Sequence, residues 1–142
     1  MENAWLSFTS TCEIPMLITA YLWLNAFLYL LFSLWCAFAP EKTSSFLGLS
    51  RKDDAGITEY LAVYGGLQFG LAIIFAWSVL GGWQMNGLRM AIALYAGIVA
   101  FRTIGAFQVG FGNLGNAAYS YGLELTLLIM AVALWTLAHN RP

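Results

Sequence analysis

Four apolar stretches, at about 14–39, 57–80, 88–109 and 117–138, take up most of a 142-residue chain. Each reaches the about 20 helical residues needed to cross a hydrocarbon core about 30 Å thick. The composition agrees: 61% of residues are hydrophobic and 9% charged, against about 25% charged in soluble domains, and the mean hydropathy is +0.73. The expected fold is all-α, an integral membrane four-helix bundle forming one transmembrane domain over 1–142, with both termini on the same side. Little chain is left for a soluble domain.

The opening MENAWLSFTSTCE carries Glu2 and Glu13 but no Lys or Arg, so the basic leader of a cleavable signal peptide is missing. Ala37-Phe38-Ala39 precedes Pro40, and a proline just after a cleavage point makes a poor site. The first segment is therefore expected to stay as a permanent helix. Cys12 and Cys36 lie near its opposite ends, about 36 Å apart at 1.5 Å per residue, too far for a disulfide, which needs Cα atoms within about 7 Å. The net charge of −1 and the lack of a basic stripe exclude nucleic-acid binding.

Four spans place the turn at 81–87 with the termini, and the loop PEKTSSFLGLSRKDDAG with 110–116 on the other side. That loop holds Lys42, Arg51 and Lys52, against Arg89 and Arg141 opposite. Three basic residues against two put the first loop in the cytoplasm by the positive-inside rule. Trp5, Trp77, Trp83 and Trp135 fall toward the terminal side, and Trp35, Tyr60, Tyr119 and Tyr121 toward the loop side. This resembles a pair of interfacial aromatic belts.

Three ionisable residues lie within or at the edge of the spans: Glu59, Arg102 and Glu124. At 1.5 Å per residue, Glu59 is about 5 Å from the loop-side edge, and Arg102 and Glu124 are each about 10 Å deep. An unpaired charge at mid-membrane costs about 2.5 to 3.5 kcal/mol, so the three are expected to gather, Arg102 pairing with Glu124 and Glu59 as the outer member. Tyr64 and Tyr121 are expected nearby. Steps of three and four put Glu59, Ala62, Gly66 and Gly70 on one face, which reads as a packing face; Gly65, Gly66 and Gly70 are the expected helix-packing glycines. The cluster reads either as a proton-exchanging or ligand-binding site or as a structural brace between helices. Asn25 and Gln68, nearer mid-membrane, are placed to hydrogen-bond across helices one and two or, alternatively, to line a pocket.

The only histidine is His139, near the end of the last helix, which excludes a bis-histidine haem or a histidine-rich iron or copper site within one chain. No GxSxG, phosphate loop or HExxH occurs, and neither cysteine has a basic neighbour to lower its pKa. No catalytic residue, cofactor or metal is expected. The uncharged 81–87 turn and the glycine-rich QVGFGNLGN at 108–116 read as ordinary turns, or as segments lying at the interface or against a partner.

Several features recur in a familiar order: APEKTSSFLGLS after helix one, a glutamate five residues before YGG in ITEYLAVYGGLQFG, an arginine in helix three and a glutamate in helix four. The chain resembles a family of small bacterial four-helix membrane proteins of unknown function, distantly similar to the DoxX-like group. The resemblance implies a four-helix fold in a bacterial inner membrane, with Glu59, Tyr64, Gly65, Gly66, Arg102 and Glu124 at the family's polar and glycine positions. It carries no activity with it.

Three functions stay open. The first expectation is a subunit or scaffold without catalysis of its own, surrounded by membrane lipids and docked on another membrane protein or on itself as a homo-oligomer. The alternative is a binding protein for a hydrophobic small molecule, a lipid or quinone, in an inter-helix pocket anchored by Glu59, Arg102 and Glu124. Transport or catalysis has the least support: there is no convincing inverted repeat or broken helix.

Overall fold

In the computed structural model, residues 3–50 and 54–140 are described, with side chains from Glu13 onward, Asp54 excepted. The side chains of Trp5 and Cys12, and all of Arg51, Lys52 and Arg141, lie outside the described residues. Among the described residues the elements are helical: α1 (Asn3–Phe38), α2 (Pro40–Phe46), α3 (Asp54–Tyr60), a π-helical stretch (Leu61–Leu67), α4 (Gln68–Leu80), α5 (Gln84–Val109), a 3₁₀ turn (Phe111–Asn113) and α6 (Ala117–His139). Four helical spans, Glu13–Phe38, Ala55–Leu80, Gln84–Val109 and Ala117–His139, are long and apolar enough to cross a membrane. The first begins upstream of the sequence estimate as part of a longer helix, and the third begins four residues earlier than expected. Gly82, at φ +75°, takes the left-handed conformation that lets the chain reverse within Gly81, Gly82 and Trp83, so Gly87 belongs to helix α5 and not to the turn.

The chain forms two antiparallel hairpins. In the first, α1 packs along the π-helical stretch and α4, which continue α3 in one span. Ser33 donates to the Gly65 carbonyl (2.8 Å), and α2 folds back beneath this hairpin. There Tyr60 donates to Thr43 Oγ1 (2.7 Å), and its oxygen lies 3.3 Å from Sγ of the free, buried Cys36. The second hairpin is α5 with α6. At its open end Arg89 sits over the Trp135 ring (4.9 Å), which stacks on the exposed His139.

The two hairpins meet closely at one end only. The buried residues of α5 are Gly87, Leu88, Ala91 and Tyr95, with Ala106 alone beyond them, and those of α6 are Leu127 and Ala131. They pack against Ile18, Leu22 and Ala26 of α1 and Leu71 and Phe75 of α4. The contact is set by Gly87: a Cβ there would lie 2.8 Å from Ser78 Cβ and 3.2 Å from Leu22 Cδ1. Two polar bonds reinforce it, Tyr21 donating to the Leu127 carbonyl (3.0 Å) and Tyr95 donating to Oδ1 of the fully buried Asn25. Asn25 thus bridges α1 to α5, not helix one to helix two as its position had suggested.

Of the glycines expected to pack the second span, Gly65 is buried and turned toward α1, where its carbonyl accepts from Ser33, while Gly66 is exposed and a Cβ on Gly65 or Gly70 would meet nothing within 4 Å. The reason is the π-helical stretch, whose i→i+5 bonding puts more residues in each turn than an α-helix does. Inward positions therefore run Tyr60, Gly65, Leu71, Phe75, Ser78, and the Glu59–Ala62–Gly66 face is carried outside. Close approach happens instead at Gly87 and Ala91, four residues apart, the small-xxx-small spacing of membrane helix pairs. Gly87→Ala is expected to lower stability by about 1–3 kcal/mol through overpacking. Gly70→Ala, with open space around it, is expected to be neutral or to gain up to about 1 kcal/mol in helix propensity. Thermal unfolding of both variants in detergent checks the contrast.

Candidate functional site

Because the hairpins are joined at the turn end, they part toward the loop end and leave a cavity of about 520 Å³ between them. One wall comes from α1 and the π-helical stretch with the start of α4, the other from α5 and α6. On α5 the lining residues Tyr95, Ile98 and Arg102 recur at steps of three and four, and on α6 Ser120, Leu123, Glu124 and Leu127 do the same. This is one helical face turned inward.

Arg102 and Glu124 form the polar centre of this wall. Arg102 Nε donates to Glu124 Oε2, and Nη2 donates to Oε1 (3.0 Å). The two side chains are 33% and 17% exposed, so water or a ligand reaches the arginine more readily than the acid. Two parallel N–H···O bonds fix both orientation and distance in such a pair. Nearby, Thr103 donates to the Val99 carbonyl (2.7 Å), which leaves Tyr121 as the donor in its 3.0 Å bond to Thr103 Oγ1. Tyr121 therefore braces α5 to α6 beside the pair and does not line the cavity.

The other expected members separate. Tyr64 lines the cavity with its ring stacked on Tyr60 (4.9 Å between centroids). Glu59 does not join the cluster: it is exposed, and its carboxylate has no ion-pair partner among the described residues. The phase of its helix turns it outward. Gln68, read as a partner for helix one or as a pocket-lining residue, takes the second place: it faces the cavity with its amide uncommitted among the described residues.

Sequence reasoning passed over the aromatic part of the wall. Tyr29 stacks on Phe75 and Tyr95 (5.7 and 6.3 Å) and reaches the cavity, as do Phe32 and Trp35. Their spacing along α1 was visible, but in a helix aromatic on several sides no periodicity singles out the inner face. At the loop end Phe46 packs on Trp35 (5.6 Å) and accepts at its carbonyl from Asn116 Nδ2 (3.4 Å). The glycine-rich loop is thereby attached to α2 over that end of the cavity.

No protein-family model matches the chain, and neither a curated protein nor a solved structure is significantly similar to it. The resemblance noted above rests on the quoted residues alone.

Removing one member of the pair leaves the other partly buried without its partner, which is the costly state. Arg102→Leu and Glu124→Leu should each destabilise more than the double variant Arg102→Leu/Glu124→Leu. A coupling of about 0.5–3 kcal/mol is expected for groups in direct contact. A double-mutant cycle by unfolding in detergent measures it, and additive single effects would show that the pair does not couple the helices.

Proposed function

We propose that this chain is an integral protein of a bacterial inner membrane that binds a hydrophobic small molecule, a lipid or a quinone, between its two hairpins. The carrying observation is the cavity of about 520 Å³ with the Arg102–Glu124 pair in its wall. Ligand sites occupy about 300–1,000 Å³ and combine apolar walls with a few convergent polar groups, and pockets between bundle helices are a recurrent case. Insertion in the bilayer is supported by the four long apolar helices and by an outer surface that exposes Leu17, Phe27, Leu67, Trp77, Phe101 and Ile129, an apolar extent that marks a membrane or partner surface. The first loop is taken as cytoplasmic on its basic residues, and the chain as having no catalysis of its own.

A second reading, a subunit docked on another membrane protein or on a second copy, is favoured by the outward face of α5. Phe101 and Phe107 there are 77% and 74% exposed, more than single scattered apolar residues require.

The test is native mass spectrometry of the protein extracted gently from its own membrane, wild type beside Ile98→Trp, which fills the cavity from α5. The expected result is a discrete small mass on the wild type that is lost in a variant of equal melting temperature. Two bare species would overturn the ligand reading, and so would a small mass that persists in the variant. A protein co-purifying with both would move the assignment to the subunit reading.

A further inference from the structure

The charge and hydrogen-bonding balance of the cavity restricts what it would hold. Its ionisable pair is internally neutral, since Glu124 already takes two of the guanidinium's N–H groups, and Glu59, which would have added a second acid, is outside. A charged head group would be attracted by one member of the pair and repelled by the other, so beside a neutral pair the cost of taking its own net charge out of water would stay largely uncompensated.

The unspent polar groups can all donate. Arg102 keeps Nη1, and Tyr64, Gln68 and Ser120 line the same cavity without a side-chain hydrogen bond among the described residues. The guanidinium can only donate, whereas a phenol, a hydroxyl and a primary amide donate or accept, so an acceptor oxygen is what Arg102 requires and what the other three can also meet. Around them the wall is aromatic, with Tyr29, Phe32 and Trp35 from α1. At the cavity's rim Leu31 of α1 and Leu123 of α6 are 54% and 50% exposed, which marks an opening between these helices toward the surrounding lipid. The loop end is crossed by the Asn116–Phe46 contact.

We infer that the ligand is a neutral amphiphile whose head carries carbonyl-type acceptor oxygens, entering sideways from the bilayer between α1 and α6, with its head held by Arg102, Tyr64 and Gln68. This rests on the cavity being a ligand site. A glyceride and an isoprenoid quinone share this chemistry, whereas a fatty-acid anion and an alkylammonium do not.

The experiment titrates delipidated protein in nanodiscs of a saturated phosphatidylcholine with four probes: monoolein, a decyl-substituted benzoquinone, oleate and dodecyltrimethylammonium. Binding is read by native mass spectrometry. At least one of the two neutral probes is expected to bind ten-fold or more tightly than either ion, and which one it is separates the two sources. Gln68→Leu and Tyr64→Phe should each weaken that neutral probe several-fold without altering oleate, and Leu123→Trp should slow its entry. Oleate or the alkylammonium binding as tightly as the neutral probes would overturn the inference. So would neutral binding indifferent to both Gln68→Leu and Tyr64→Phe in variants that melt with the wild type, or the binding of none of the four. If the native protein still carries a small mass that Ile98→Trp removes, such a failure strikes the head-group chemistry alone; if it carries none, the ligand site itself falls.

Discussion

The architecture depends on one contact to which α5 brings no side chain: its backbone at Gly87 lies directly against the side chains of Ser78 and Leu22. In a bilayer, which the four apolar helices are long enough to cross, leucine would gain little from leaving one apolar medium for another, so association there relies on packing at short range and on hydrogen bonds. The small buried residues Ala26, Ala72, Ala91 and Ala131 share the turn-end half with Gly87. Asn25 and Tyr95 add the polar bond at its inner limit. Beyond Tyr95 the small residues give way to bulkier side chains, and the hairpins separate.

That separation explains where the polar pair can exist. Arg102 and Glu124 are too far buried to be left unpaired cheaply, yet a tightly packed interface would have had no room for a guanidinium. In the cavity they satisfy each other while the arginine keeps donors free. The pair also holds α5 to α6 where those helices have lost the first hairpin as a support, together with the Tyr121–Thr103 bond. Bracing and ligand anchoring are therefore compatible roles for the same two side chains. Bracing uses the bonds already made, and anchoring uses the N–H groups left over.

The π-helical stretch has a comparable double effect. Its Gly65-Gly66 pair weakens the α-helical alternative, and the Ser33 hydroxyl adds a bond from α1 to the Gly65 carbonyl, which also accepts from the Gln68 N–H. The same stretch brings Tyr64 and Gln68 to the cavity and sends Glu59 and Gly66 outward. π-helical turns are frequent at functional sites, and here the turn forms part of the cavity wall.

The number of long helices, their approximate limits and the pairing of Arg102 with Glu124 were legible in the residues themselves. Hydrophobic length and a constant 3.6-residue period are local properties. Where the period broke, sequence reasoning failed, and steps of three and four through Glu59 and Gly66 named the wrong face. The Gly87-xxx-Ala91 signal was equally visible, but a helix start taken too late assigned its first member to a turn. Only the tertiary structure decided that the hairpins close at one end and open at the other. That outcome depends on which side chains from distant helices meet, and on whether a Cβ fits between them, which no single helix encodes.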